Sequence, residues 1–94
     1  MRKVRFDWGE AKRRANIRRH SIDFVGVEAV FDGYTVTVED DRFDYEERRF
    51  VTFGLLEGRV VAVVHTEEED TIRIISIRKA TKNEAKGYFA SLPH

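Results

Sequence analysis

From Arg59 to Thr66 the chain reads RVVAVVHT, and residues 60–64 of that run offer no polar side. A half-buried antiparallel strand alternates apolar and polar side chains, so this run predicts a central strand covered on both faces. The flanking sequence supplies its neighbours. RRFVTFGLL (48–56) precedes it across Glu57-Gly58, a tight hairpin signal. TIRIISIRK (71–79) follows it across the acidic connection EEED (67–70). YTVTV (34–38) alternates and is rich in β-branched residues, which gives a fourth strand.

Outside these strands the period is helical. EAKRRANIRR consists of good helix formers and predicts a helix from Gly9 or Glu10 to about Arg19. Ala11, Ala15 and Ile17 form its narrow inward stripe, and the rest is basic. Asp23 can N-cap a second helix over 24–31, with Ile22 and Val27 as a hydrophobic staple. Phe24, Val27 and Phe31 line one side of that helix with Val30 beside them, and Asp32-Gly33 ends it. Thr81 followed by Glu84 forms a capping box for a last helix, which turns Ala85, Tyr88 and Phe89 inward before Pro93. Residues 2–8 read as an extended lead-in with Val4, Phe6 and Trp8 alternating. Residues 39–47 read as an acidic loop whose Phe43 and Tyr45 fold partly back onto the body. The expected class is therefore α+β: two N-terminal helices, a four-stranded antiparallel sheet and a C-terminal helix. Ninety-four residues make one domain, residues 1–94.

Composition removes several function classes. The chain has no cysteine, hence no disulfide framework, thiolate zinc site or Cys nucleophile. It has no phosphate-binding glycine loop, dinucleotide fingerprint or nucleophile-elbow motif. His20, His65 and His94 lack a second His or a carboxylate at helical ligand spacing, so neither a metal centre nor a cofactor is expected. No apolar run approaches the roughly 18 residues of a membrane span, and the N-terminus lacks a secretory signal. A cytoplasmic protein is the expectation. The net charge of zero is unevenly spread. Residues 1–22 hold eight Lys/Arg against Asp7 and Glu10, residues 23–70 four against fourteen acids, and residues 71–94 five against Glu84. If the two ends meet, one surface is basic and suited to a polyanion. The plainer reading is a solvated basic helix face paired with the acidic middle.

His65 closes the central strand, and antiparallel pairing with 71–79 brings it within a rung or two of Arg73. Strict alternation sets Arg73, Ile75 and Ile77 on one face, and Ile72, Ile74, Ser76 and Arg78 on the other. An arginine among isoleucines must snorkel, pair with a carboxylate or open into a cleft. Metal-free RNA cleavage needs a base near neutral pKa for the 2′-hydroxyl and fixed cations for the phosphorane, roles suited to His and Arg. The plain alternative is a satisfied strand-end histidine and a buried ion pair.

Taken in order, FDWGEAKRRANIRRHSIDF (6–24), EAVFD (28–32), ERRFVTFGLL (47–56) and VVHTEEEDTIRIISIRKATKNEAKGY (63–88) resemble the BrnT toxin family. The run R-I-I-S-x-R-x-A-T (73–81), with the Glu and Tyr that follow, is the most specific part. The chain departs at Ser21-Ile22-Asp23, where the family more often has a Gly after the His and a Ser or Thr cap. The resemblance implies a RelE-like fold and a metal-independent endoribonuclease that arrests growth by blocking translation. It implies a BrnA-type antitoxin with a ribbon-helix-helix part, through which the complex binds operator DNA. Carried over by position, it makes His65, Arg73 and Arg78 the catalytic candidates, with His65 moving the proton. Lys12, Arg19, His20 and Lys79 become candidates for holding the RNA backbone. Tyr88 is a stacking or acid candidate, with core packing as the plainer role. Two other readings stay open at this point. One is a non-catalytic module that binds nucleic acid or an acidic partner, and the other is a chain that uses charge separation to self-associate.

Overall fold

The computed structural model describes residues 3–41 and 46–93. Along the chain run β1 (Arg5–Asp7), α1 (Glu10–His20), α2 (Glu28–Asp32), β2 (Val36–Asp40), β3 (Arg49–Leu56), β4 (Arg59–Glu68), β5 (Thr71–Lys79) and α3 (Lys82–Ser91). They form a five-stranded sheet in the order β1-β5-β4-β3-β2. The expectation of a RelE-like arrangement, with two N-terminal helices on a four-stranded antiparallel sheet, is corrected on two counts. The lead-in is itself a strand, and it lies parallel to β5, with Arg5, Phe6 and Asp7 opposite Thr71, Ile72 and Arg73. The sheet is therefore mixed. The second helix is also short: Gly26 has φ 99, outside the helical range, and Asp23 accepts the Val25 N–H at 3.0 Å and the Arg13 guanidinium at 2.7 and 2.9 Å instead of capping a helix over 24–31. The expected folding back of Phe43 and Tyr45 lies outside the described residues.

The apolar run 60–64 holds the centre of the sheet, between β3 and β5. Val61 and Val63 face a core shared with Phe24, Val27, Val30, Ile72, Ile74 and Ile77. Phe6, Trp8, Ile22, Phe31 and Leu56 pack around it. Burying side chains of this size stabilises the fold by roughly 1.5–3 kcal/mol each. Although the 24–31 helix is broken, its stripe still faces inward, because each of Phe24, Val27 and Val30 is fully buried.

Strict alternation along β5 fails at one residue. Val64 faces Ser76 while His65 faces Ile74, so Ile75 is an extra residue, a β-bulge. The bulge reverses the facing of everything after it. Ile72, Ile74 and Ile77 consequently share one core, and Ile75 is left at the rim of the sheet. The hairpin at Glu57-Gly58 forms as expected, with positive φ at both residues (50 and 79) as a two-residue primed turn requires. The Thr81 capping box forms too: Thr81 Oγ1 accepts the Glu84 N–H and Glu84 Oε1 accepts the Thr81 N–H.

Candidate functional site

β1 ends opposite Arg73, so from Ile74 onward the outer edge of β5 has no strand beside it among the described residues. Helix α1 takes that position. Its only buried residue is Asn16, whereas Ala11, Ala15 and Ile17, expected to pack inward, lie at the surface. The Asn16 Nδ2 donates to the Ile77 carbonyl at 2.9 Å and to the Ile22 carbonyl at 3.0 Å, and its Oδ1 accepts the Ile77 N–H at 3.0 Å. One side chain thus does for β5 what a neighbouring strand would do.

This attachment turns a polar face of α1 toward the bulge. Lys12, Ala15, Asn16, Arg19 and His20 recur at three- and four-residue spacing, which puts them on one side of the helix. With Ile75 and Ser76 they line a cleft of about 340 Å³. A second cleft of about 430 Å³ lies around the C-terminus of α1 and the β3–β4 turn, lined by His20, Ser21, Ile22, Leu56, Glu57, Arg59, Val61 and Lys79. His20 lines both. Lys12, Arg19, His20 and Lys79, which the family resemblance suggested for RNA, therefore come together along one seam with a single carboxylate, Glu57. Arg59 joins them, a residue that the sequence reading did not single out. The signal was available: the hairpin register sets Arg59 opposite Leu56, two residues before Val61, which faces Lys79. The carbonyl end of α1 favours cations, which suits Arg18, Arg19 and His20 in its last turn.

His65, Arg73 and Arg78 do not share a surface. The His65 imidazole is fully buried, stacked on Phe50 at 5.9 Å and edge-on to Phe31 at 5.5 Å. Its Nε2 lies 2.7 Å from Thr52 Oγ1, which lies 2.7 Å from Thr37 Oγ1. Its Nδ1 has no hydrogen-bond partner among the described residues. Burial pushes the imidazole pKa down to about 4. The Thr66 backbone opposes that shift and does not outweigh it. Arg73 stands one rung away, opposite Thr66, yet projects from the other face of the sheet into solvent, paired with Asp7. Its cleft is acidic, with Asp7, Glu47, Glu68 and Glu69 among the lining residues. Arg78 grips both carboxylate oxygens of Glu84, at 2.8 and 3.1 Å, and that hydrogen bonding holds the Glu84 carboxyl down to about 2. Tyr88 is a core residue, 3% exposed, with its hydroxyl donating to the Tyr34 carbonyl at 2.8 Å.

Charge is thus sorted in space: the basic seam follows α1 and the end of β5, and acidic residues gather around the β4–β5 turn. Among the described residues no helix is long and apolar enough to cross a membrane, and no group of three or more His, Asp or Glu is arranged to hold a metal ion. A family model described as "Ribonuclease toxin, BrnT, of type II toxin-antitoxin system" matches residues 8–84. No curated protein matches the chain.

Proposed function

The chain belongs to the BrnT family of ribonuclease toxins of type II toxin–antitoxin systems, and from that premise we propose that it cuts RNA at the basic seam between α1 and β5. The observation that carries this reading is the convergence of Lys12, Arg19, His20 and Lys79 on two clefts that share His20. Lys12, Arg19 and Lys79 hold the phosphodiester, and their fixed charge offsets the charge that builds on the phosphorane. His20 takes the proton from the ribose 2′-hydroxyl. The 2′ oxygen then attacks phosphorus, the bond to the 5′ oxygen breaks, and the leaving oxygen takes a proton from the solvent-filled cleft. The products are a 2′,3′-cyclic phosphate and a 5′-hydroxyl end. No metal ion is needed in this scheme, because side-chain cations supply the positive charge.

His65, Arg73 and Arg78 enter this proposal as parts of the fold. A neutral imidazole sealed beneath Phe31 and Phe50 has no route to a ribose, and the two guanidinium groups already hold Asp7 and Glu84. The antitoxin that the family implies is proposed to be of BrnA type, with a ribbon-helix-helix part that carries the complex to operator DNA. The chain is proposed to form one domain over residues 1–94 and to act in the cytoplasm.

The purified protein should cut RNA in the presence of EDTA. His20→Ala should lower the rate by at least ~100-fold, the usual scale for a lost general base, while the protein stays folded by circular dichroism. Equal rates in His20→Ala and the parent would exclude this assignment. Intact RNA with folded parent protein would leave a seam that binds RNA without cutting it.

A further inference from the structure

The second cleft has a make-up that phosphate binding alone does not explain. Its floor is apolar, formed by buried Val61 and half-buried Ile22 and Leu56. Its rim carries Arg59, Lys79 and the exposed carboxylate of Glu57. A carboxylate repels the phosphates that the neighbouring cations attract, and so weakens a site meant only for backbone. Toward a base it has the opposite value. An apolar slot accepts a planar ring, and an ionised carboxylate accepts hydrogen bonds from a base edge while offering none.

The four RNA bases differ in what they show such a group. Guanine presents two adjacent donors on its Watson–Crick edge, N1–H and the N2 amino group, which match the two oxygens of a carboxylate. Adenine and cytosine each present one amino group beside an acceptor nitrogen. Uracil presents a single N–H between two carbonyls, which a carboxylate repels. We propose that this cleft is a base-specificity pocket for guanine, in which Glu57 reads the Watson–Crick edge while Arg59 and Lys79 hold the adjoining phosphate. The inference rests on the reading of the seam as the RNA-cleaving site, and His20, which lines both clefts, joins the pocket to the reaction.

The test uses the full chain and short 2′-O-methyl oligonucleotides, which cannot be cut because the nucleophile is blocked. One position in a uridine background carries guanine, inosine or adenine, and binding is followed by fluorescence anisotropy. Guanine should bind about tenfold more tightly than adenine, the scale of one good bidentate contact, with inosine between them because it lacks the N2 amino group. In Glu57→Gln and in Glu57→Gly the three oligonucleotides should bind alike. The glycine variant suits the positive φ of 50 at this position, so a folding defect does not explain its result. Equal affinity of the parent for all three, or a guanine preference that survives both substitutions, overturns the pocket while leaving RNA cleavage at the seam intact. Failure to bind any of them removes the RNA reading of the seam along with the pocket.

Discussion

Asn16 and Ile77 are joined twice, through the Asn16 Nδ2 to the Ile77 carbonyl and the Ile77 N–H to the Asn16 Oδ1, at 2.9 and 3.0 Å. Helix α1 buries no apolar side chain of its own, so this clamp is central to its attachment to the sheet. Asn16→Ala strands both Ile77 groups and the Ile22 carbonyl, and should cost about 3 kcal/mol on the scale of unsatisfied buried groups. Asn16→Asp should be at least as damaging, since it sets a charged oxygen against two carbonyls. Urea midpoints at pH 7 measure both, and a loss well under 1 kcal/mol would mean that the helix is held by other interactions.

The seam makes a separate prediction about salt. Binding of a non-cleavable single strand should weaken linearly with log salt, and removing one phosphate-binding cation should lower the slope by about 0.7. Lys12→Ala and Arg19→Ala should each show that reduction. Arg73→Ala, in the acidic cleft beside Asp7, should keep the parent slope. An Arg73 effect as large as that of Lys12 would move the RNA path to the other side of the molecule.

Two groups shape the pH dependence of stability, in different windows. The His65 imidazole takes up a proton near its ordinary 6.5 in the unfolded chain, but only near 4 in the fold. Between those values the unfolded state binds more protons, so stability should fall as pH drops from about 6.5 to 4, by roughly 3 kcal/mol in total. Glu84 behaves as a carboxylate with lowered pKa: its contribution is present above its ordinary 4.5 and is lost as pH falls toward about 2. His65→Gln should flatten the upper window. Glu84→Gln should cost about 1 kcal/mol at pH 7 and converge with the parent at the acid end. Urea titrations from neutral to acid pH separate the two, and an unchanged slope in His65→Gln would locate the upper proton elsewhere.

Ser21 caps α1 in the left-handed region, with φ 58 and its N–H bonded to the Ile17 carbonyl. A side chain there costs on the order of 1 kcal/mol. Ser21→Gly should therefore raise the melting temperature by about 4–8 °C, and a lower value would show that the serine side chain has a compensating partner.

Local signals were readable in the chain. The hairpin at Glu57-Gly58, the Thr81 capping box and the central position of the 60–64 run all follow from neighbours close in sequence. The missed features depend on distant partners. A three-residue strand such as Arg5–Asp7 carries no pattern that names residues 71–73 as its neighbour. The extra residue at Ile75 breaks alternation without a glycine or proline to announce it. Asn16 reads as one more polar residue on a basic helix until Ile77 is beside it. The candidate site divides along the same line. The family resemblance named Lys12, Arg19 and His20, which the structure sets on one side of α1, but the burial of His65 depends on Phe31 and Phe50, which the chain folds over it from elsewhere.

The pairing of β1 with β5 also governs when the basic seam can form. Residues 5–7 are made well before residues 71–79, and neither they nor Asn16 can find their partners until residues 71–79 have emerged. A sheet closed by pairings so far apart along the chain assembles slowly, because a large loop must be ordered before the strands meet. Until β5 has docked, the seam has only the α1 side of its wall, so both basic clefts belong to the folded chain and to no partly paired form of it.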